Sequence, residues 1–179
     1  LYRASGFGYM GQIPRFVRVF DAEAIAPYAQ MDRLAKSLIR KYRNPERIEY
    51  KAEAKPARDL ASIVAGMESG FNLFLRDGDH LRWRYEDHPV FSYQAHLVRG
   101  GGSGTGVVFR TDEVAGMKII HVMDCFGDDA DMPAVLTFID DYCREAGAHV
   151  VDFYCTSTRV NCHFRARGWF SIQDDECFR

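Results

Sequence analysis

The sequence lacks two features that would indicate a membrane protein or a nucleic-acid-binding protein. It has no apolar run approaching the roughly 20 residues of a membrane-spanning helix. It also has no excess of basic charge, because 23 Lys and Arg residues are set against 25 Asp and Glu residues, for a formal net charge of −2. Binding to nucleic acid needs clustered positive charge, so we expect neither a nucleic-acid partner nor a membrane partner.

The chain also lacks cysteine pairs at the spacing of a metal site. Its five cysteines form an odd set without a CxxC pair: Cys125, Cys143, Cys155, Cys162 and Cys177. Such a set suits a reduced compartment better than a disulfide framework. The six histidines show no paired spacing with thiols or carboxylates. We therefore expect a cytoplasmic location and no metal site.

The first seventy residues predict one strand followed by helices. β-branched and aromatic residues favour a strand within Gly8–Phe20, and Asp21 can cap the helix that follows. Apolar residues at helical spacing predict an amphipathic helix within Pro27–Arg43. Asn44–Pro56 is charged and bounded by prolines, which is typical of a linker, and Ala57–Met67 predicts a second short helix.

The remaining residues predict an α/β domain. Alternating apolar residues and glycine-rich turns indicate an antiparallel meander, which is followed by two helices that alternate with two strands. The predicted elements are strands at Ser92–Arg99, Thr105–Val114 and Met117–Phe126, a helix at Met132–Ala146, a strand at His149–Cys155, a helix at Arg159–Arg167 and a strand at Trp169–Phe178. We expect a mixed, mostly antiparallel sheet flanked by helices, with the His149 strand parallel to the third strand of the meander.

A short internal repeat connects the two ends of the chain. Leu1–Phe7 and His163–Trp169 share the pattern aromatic-Arg-Ala-x-Gly-aromatic, which is typical of a helix that ends at a glycine and leads into a strand. With the order of elements described above, this pattern resembles the GCN5-related N-acetyltransferase (GNAT) superfamily, in proteins built from two such units. Leu81–Tyr85 and the following His88-Pro89 resemble a stretch of bacterial proteins of this type.

The resemblance implies a division of the chain into three parts. Residues 1–20 would be the last helical turn and strand of an upstream GNAT-like unit, residues 21–70 a helical linker region, and residues 71–179 a second GNAT-like domain. The N-terminal strand would pair with the second unit's sheet or with another chain, because its apolar side chains would otherwise face water. The expected partner is therefore an upstream unit or a second copy.

The resemblance also implies a site for acetyl-CoA. GNAT proteins bind the cofactor's pyrophosphate at a turn between the central strand and the next helix, where backbone N–H groups and the helix dipole favour anions. The corresponding positions here are Phe126 and Gly127, with Asn161 as a further contact or as a helix cap. The turn continues Asp128-Asp129-Ala130-Asp131, and its three carboxylates would repel pyrophosphate.

Three positions bear on the chemistry that the resemblance implies. Asp124, at the end of the central strand, is the candidate base that would deprotonate an amine acceptor, or else a carboxylate that caps the next turn. Cys125 beside it is expected to be a buried, unreactive thiol. Many GNAT proteins use a tyrosine four residues before the final Gly-aromatic pair to protonate coenzyme A, but Phe164 occupies that position.

A second glycine-rich string requires a different explanation. Arg99-Gly100-Gly101-Gly102-Ser103-Gly104 fits the family's Arg/Gln-x-x-Gly-x-Gly pattern, but a strand follows it, whereas a phosphate-binding loop opens a helix. We interpret residues 99–104 as a flexible hairpin turn.

Three functions remain open at this point. The first is acyl transfer from acyl-CoA to a small-molecule amine, which the resemblance implies. The second is a non-catalytic GNAT-like module that packs against, or supports, an active upstream unit or binds a partner, which Phe164 and the acidic turn favour. The third is transfer from a charged RNA, which the absence of a basic surface disfavours.

Overall fold

The computed structural model describes residues 12–30, 33–42, 44–65 and 76–172. Its seven strands form one sheet in the order β2-β3-β4-β5-β6-β1-β7. The strands are β1 Arg15–Val19, β2 Lys51–Ala54, β3 Gln94–Arg99, β4 Thr105–Val114, β5 Met117–Gly127, β6 Val150–Tyr154 and β7 Phe170–Ser171. The α-helices are α1 Ala22–Ile25, α2 Arg33–Lys41, α3 Ala61–Ala65, α4 Gly78–Leu81, α5 Met132–Glu145 and α6 Thr158–Ala166.

The predicted meander and its crossover are confirmed. β3, β4 and β5 pair antiparallel in sequence order. The chain then crosses through α5 and returns as β6, which pairs parallel to β5 over Ile119–Val122 and Val150–Phe153. This is the single parallel pair among the described strands, so the sheet is mixed and mostly antiparallel.

The N-terminal strand is an interior strand of this sheet. β1 lies antiparallel between β6 and β7, with Val17 opposite both Asp152 and Phe170. Its apolar side chains are buried, and Phe16 has no exposed surface. The prediction that this segment pairs with the sheet is therefore confirmed, because a strand this apolar gains most from neighbours on both edges.

The main core lies between the sheet and α5. Side chains on a strand alternate between its two faces, and one face of every central strand packs on this helix. The buried members of this core include Phe16, Phe109, Ile120, Val135, Leu136, Ile139, Val151, Phe153 and Phe164. The opposite face of the sheet is covered by α1 and α2 near β1, and by α3, α4 and a short 3₁₀-helix, Ala57–Leu60, near β3 and β4.

The predicted linker contains structure that the sequence did not indicate. Lys51–Ala54, inside Asn44–Pro56, forms the edge strand β2 and pairs antiparallel with β3. Its four residues are exposed and charged or small, so the segment has no apolar alternation, and only the neighbouring strand makes it extended. The division of the chain into residues 1–20, 21–70 and 71–179 stays a prediction.

One predicted helix is shorter than expected, and one predicted strand is described only in part. Within the predicted helix Pro27–Arg43, α2 covers Arg33–Lys41. α1 lies before this segment and is capped by Asp21, as expected. β7 covers Phe170–Ser171, and residues 173–178 of the predicted final strand lie outside the described residues, as does the Leu1–Phe7 repeat. In the described parts of the chain, no helix is both long and apolar enough to cross a bilayer.

Candidate functional site

The sheet opens where β5 and β6 stop pairing. Their last paired residues are Val122 and Phe153, but β5 continues to Gly127 and β6 to Tyr154. The register between β4 and β5 also shifts at this point, from Val108 opposite Asp124 to Phe109 opposite Val122. Met123 is therefore an extra residue of a β-bulge, a feature that bends a strand and commonly lies next to active sites.

The candidate base Asp124 is held by an arginine. Arg76 Nε and Nη2 donate to its two carboxylate oxygens at 2.9 and 3.0 Å, and the Tyr85 hydroxyl lies 3.3 Å from Oδ2. The side chain of Asp124 is 14% exposed. Uptake of an amine proton would remove the negative charge of Asp124 and with it the attraction to Arg76, so the ion pair opposes a role as base. The catalytic assignment stays a prediction.

Groups beside Asp124 are kept in their neutral forms. Burial, with the charge of Asp124 as a smaller cause, raises the pKa of the Cys125 thiol far above its usual value. Burial, followed by the charge of Asp124, also raises the pKa of the Tyr85 hydroxyl. Cys125 is therefore a thiol and not a nucleophilic thiolate at neutral pH, as the sequence indicated.

Phe126 and Gly127 close the end of β5 by packing. Phe126 is buried beneath the Arg76 guanidinium, which lies 5.4 Å from the ring centre. Gly127 has φ of +146°, and a Cβ on it would lie 2.6 Å from Thr105 Cα and close to the Gly104 carbonyl oxygen. Glycine is therefore needed here because β4 approaches so closely. The predicted cofactor roles of both residues stay untested.

The acidic turn after Gly127 uses most of its own backbone donors. The N–H of Asp128 donates to the Gly104 carbonyl oxygen at 3.1 Å, and the N–H of Asp131 donates to the Asp128 carbonyl oxygen at 3.1 Å. The N–H of Ala130 donates to Asp128 Oδ1 at 2.9 Å. Backbone N–H groups that already have acceptors cannot bind a phosphate without breaking those bonds.

Two carboxylates of the acidic turn bind the glycine-rich hairpin. Asp131 has no exposed surface and accepts from the N–H groups of Gly100, Gly102 and Gly104 at 2.6 to 2.8 Å. Asp128 Oδ2 accepts from the N–H of Ser103 at 2.9 Å. Residues 99–104 do form the predicted turn between β3 and β4, but these bonds restrain it, whereas the sequence predicted a flexible turn.

The third carboxylate and the predicted contact Asn161 connect α6 to its surroundings. Asp129 Oδ2 lies 2.7 Å from Arg159 Nε, which joins the turn before α5 to the first turn of α6.

Asn161 is 9% exposed and donates from Nδ2 to the Cys155 carbonyl oxygen at 3.2 Å. The cap of α6 is Ser157, which accepts from the N–H of Val160, so the expectation that Asn161 caps this helix is wrong. Its cofactor role stays a prediction.

Phe164 is a core residue. It has no exposed surface, and its ring centre lies 4.9 Å from that of Phe153 and 4.8 Å from that of Trp169. The position that carries a proton-donating tyrosine in the resemblance is therefore both without a hydroxyl and shielded from solvent.

Sequence reasoning missed a cluster of charged side chains on the sheet face opposite α5. His121 Nδ1 lies 2.6 Å from Asp152 Oδ1, and its Nε2 lies 3.2 Å from Asp112 Oδ2. Arg15 Nε and Nη2 donate to Asp152 Oδ2 at 2.9 and 2.5 Å, and Arg110 Nη2 donates to Asp112 Oδ2 at 2.7 Å. We call these five residues the charged cluster. Its members come from four strands, so only the register of the sheet brings them together.

The charged cluster borders a cavity of about 330 Å³. Burial alone would raise the pKa of Asp152, but its hydrogen bond to His121 and the charges of His121 and Arg15 outweigh burial and lower it. The cavity is lined by Arg15, Arg110, His121, Val122, Met123, Asp152 and Tyr154. Within the described residues, no group of three or more His, Cys, Asp or Glu side chains is arranged to hold a metal ion.

No protein-family model and no curated protein matches the sequence. Solved structures do match its fold. One is a GCN5-related N-acetyltransferase from Anabaena variabilis, with a TM-score of 0.56, 9% sequence identity, and coverage of 89% of this chain and 38% of that chain. A functionally unknown conserved protein from Staphylococcus epidermidis gives a TM-score of 0.47 at 11% identity, with coverage of 89% and 58%.

The chain spans less than two thirds of the length of either structure. At 9% identity, the likeness to the Anabaena protein concerns the arrangement of helices and strands and does not extend to activity. The mixed sheet, the parallel β5 and β6 with their separated ends, and the crossover helix α5 agree with that likeness. The chain has the fold of a GCN5-related N-acetyltransferase.

Proposed function

We propose that the chain is a unit of a GNAT-type N-acyltransferase, which transfers an acetyl or acyl group from acyl-CoA to an amine, and that this unit supports the reaction without holding acyl-CoA itself. The observation that carries the proposal is the turn between β5 and α5. Its N–H donors at Asp128, Ala130 and Asp131 are bonded to acceptors of the same chain.

A pyrophosphate bound at this turn would have to replace existing bonds. Each displaced hydrogen bond leaves a group that needs a new partner, at a cost of about 1–3 kcal/mol where the group is buried. The favourable interaction of an anion with an exposed helix start is only about 0.3–1 kcal/mol. The ion pair between Asp129 and Arg159 also joins the two helix starts that flank the opening of the sheet.

The position of Phe164 also favours a non-catalytic role for this unit. Coenzyme A is the leaving group of the reaction, and its sulfur needs a proton to depart as a thiol. A proton donor must therefore lie within hydrogen-bond reach of the sulfur. Phe164 has no proton to give and lies in the core. The catalytic unit would then be an upstream GNAT-like unit, and β1, inserted between β6 and β7, would join it to this sheet.

The test is calorimetric titration of this chain with acetyl-CoA. We expect no heat of binding at tens of micromolar protein, and low-micromolar binding would overturn the proposal. Asp129→Asn serves as a probe of the turn, because it removes one carboxylate and the Arg159 ion pair while leaving the bonds to the glycine-rich hairpin intact. If the occupied N–H groups are the obstacle, Asp129→Asn will not create micromolar binding.

Acyl transfer by this unit itself is the second candidate, favoured by the opening beyond Val122 and Phe153. Asp124 and Tyr154 lie where β5 and β6 no longer pair with each other, so a thioester inserted there would meet a carboxylate and an exposed phenol. The release of coenzyme A in the presence of an amine distinguishes the two candidates. Transfer by this unit requires turnover by the isolated chain and its loss, by a hundredfold or more, in Asp124→Asn, since a general base contributes about 10²–10⁴-fold.

A further inference from the structure

β2 is an edge strand, and the described part of the chain places no strand along its outer side. The N–H of Lys55 donates to the carbonyl oxygen of Ala95, in β3, at 3.0 Å. In an antiparallel pair the bonding residues alternate, so the N–H and C=O groups of Ala52 and Ala54 point away from β3. The side chains of β2 are all exposed. This edge therefore presents backbone donors and acceptors to which another strand can add.

Charged side chains of alternating sign follow this edge. Residues 49–55 have the sequence Glu-Tyr-Lys-Ala-Glu-Ala-Lys, so the charges lie at every second position and share one face of the strand. Glu53 forms an ion pair with Lys55 at 2.6 Å. The side chains of Glu49 and Lys51 form no ion pair or hydrogen bond with any described residue. The edge therefore carries one charge of each sign that is not paired within the described structure.

The order of these charges is complementary to itself. When a second copy of the strand lies antiparallel, with Ala52 opposite the partner's Ala52, Lys51 lies opposite the partner's Glu53 and Glu49 lies opposite the partner's Lys55. Twofold symmetry repeats both pairs. A shift that sets Ala52 opposite the partner's Ala54 would instead place Glu53 opposite Glu53, and parallel pairing in register would also align like charges. Like charges directly opposite each other are destabilising, so the pattern selects one antiparallel register.

We propose that β2 is a dimerisation edge, at which a second copy of this chain adds its own β2 antiparallel, with the twofold axis at Ala52. The two sheets then form one continuous sheet through an isologous interface. Lys51 lies opposite Arg99 of β3, a repulsive arrangement, and it gains the partner's Glu53 on its other side. This surface is separate from β1, which lies inside the sheet. Dimerisation here depends neither on acyl transfer nor on coenzyme A.

The test exchanges charges between the two copies and measures association of the whole chain by sedimentation velocity. Because the interface is short and its charges are exposed, we expect a dissociation constant on the order of 100 µM for the parent chain. Lys51→Glu alone, or Glu53→Lys alone, brings like charges together at both symmetry-related positions. Each variant is expected to dimerise about tenfold more weakly than the parent.

An equimolar mixture of Lys51→Glu and Glu53→Lys has only opposite charges at these positions. We expect it to form a heterodimer as strong as the parent dimer. A mixture that associates no more strongly than the separate variants would overturn the proposal, as would a parent chain that stays monomeric at millimolar concentration. The substituted side chains are exposed, so the variants are expected to fold as the parent does.

Cysteine substitutions locate the twofold axis. In Ala52→Cys the two new thiols face each other in a hydrogen-bonded pair, where the Cα atoms are about 5.5 Å apart, within the range of a disulfide. Ala54→Cys is the matched control on the same face of β2, because its thiol lies opposite the partner's Tyr50 and its Cα about 13 Å along the strand from that of the partner's Ala54. We expect mild oxidation to cross-link only Ala52→Cys, and equal cross-linking of the two variants would contradict the register.

A charge change far from β2 controls for a general effect of charge. Glu113→Lys, at an exposed position of β4, makes the same substitution as Glu53→Lys outside the proposed interface. We expect it to dimerise as the parent does. Equal weakening by Glu113→Lys and Glu53→Lys would show that net charge, and not the pairing of β2, controls association, and would contradict the proposal.

Discussion

Asp131 Oδ2 accepts a hydrogen bond of 2.7 Å from the N–H of Gly104, although 27 residues separate the two. Its other oxygen accepts from Gly100 and Gly102 at 2.6 and 2.8 Å. A set of converging backbone N–H groups is an anion-binding device, and here the anion is a side chain of the same chain. The glycine-rich string thus resembles a phosphate-binding loop because it uses the same physical interaction, with a carboxylate in place of the phosphate.

Asp131→Asn is expected to lower the free energy of unfolding by about 1–3 kcal/mol, because the amide NH₂ would face a backbone N–H and leave it without an acceptor. Urea denaturation measures the change. Asp129→Asn is the control, since its ion pair with Arg159 is partly exposed, at 30% and 55%, and is expected to contribute less than about 1 kcal/mol. Equal losses in the two variants would contradict the structural role of Asp131.

His96 is expected to make stability depend on pH. Its ring lies among Phe109, Phe138 and Tyr142, with centre distances of 5.1 to 5.9 Å, and burial lowers its pKa. The unfolded chain therefore takes up a proton at this position before the folded chain does. The contribution to stability is complete above about pH 6.5, the ordinary value for histidine, and is lost as pH falls through the lower folded-state pKa.

The measurement compares urea denaturation of the parent protein and His96→Gln between about pH 7.5 and pH 5. We expect the difference in unfolding free energy between the two proteins to shrink as the pH falls. A constant difference over this range would rule out His96 as the titrating group.

The described cysteines are expected to differ in reactivity. Burial raises the pKa of Cys125 and of Cys143, whereas Cys162 is exposed. Each unit of pKa lowers the thiolate fraction about tenfold, so alkylation at pH 7.5 should modify Cys162 more than ten times faster than the other two. Peptide mapping by mass spectrometry follows each site. Rapid modification of Cys125 in Cys162→Ser would contradict the raised pKa of the Cys125 thiol.

Phe164→Tyr restores the hydroxyl that GNAT proteins use but is not expected to restore activity. The new hydroxyl would lie in a core without exposed surface and would cost about 1–3 kcal/mol if it found no partner. Thermal denaturation and release of coenzyme A measure the two effects. Phe91→Tyr, at a ring that is 42% exposed, is the control and should change neither. Acyl transfer by Phe164→Tyr would show that this unit lacks only its proton donor.

The sequence predicts those parts of the fold that have strong local periodicity. The bounds of β4 agree residue for residue with prediction, and α5 differs by one residue, because alternating or helical apolar spacing determines both locally. β2 was missed because its residues, Lys51–Ala54, have no apolar alternation, and they are extended only through pairing with β3. Local propensity contains no information about such a partner.

The candidate site depends on contacts distant in sequence, which limited its prediction. Asp124 was a candidate base through the resemblance, but Arg76, which pairs with it, lies 48 residues earlier and belongs to no motif. The charged cluster likewise requires the register of β4, β5, β6 and β1. The three aspartates of the acidic turn were interpreted as charges that would repel pyrophosphate, whereas in the structure two of them bind the hairpin and the third binds Arg159.

The position of β1 has a consequence for biosynthesis. Arg15 contacts Asp152 across 137 residues, so the ribosome completes β1 long before it makes the strands on either side of it. At a translation rate of about 5–20 residues per second, β1 exists for on the order of ten seconds or more before β6 and β7 are synthesised. During that interval its edges are open to incorrect pairing. Slow translation or a chaperone that binds this segment should therefore change the yield of folded protein more than it changes the stability of the folded state.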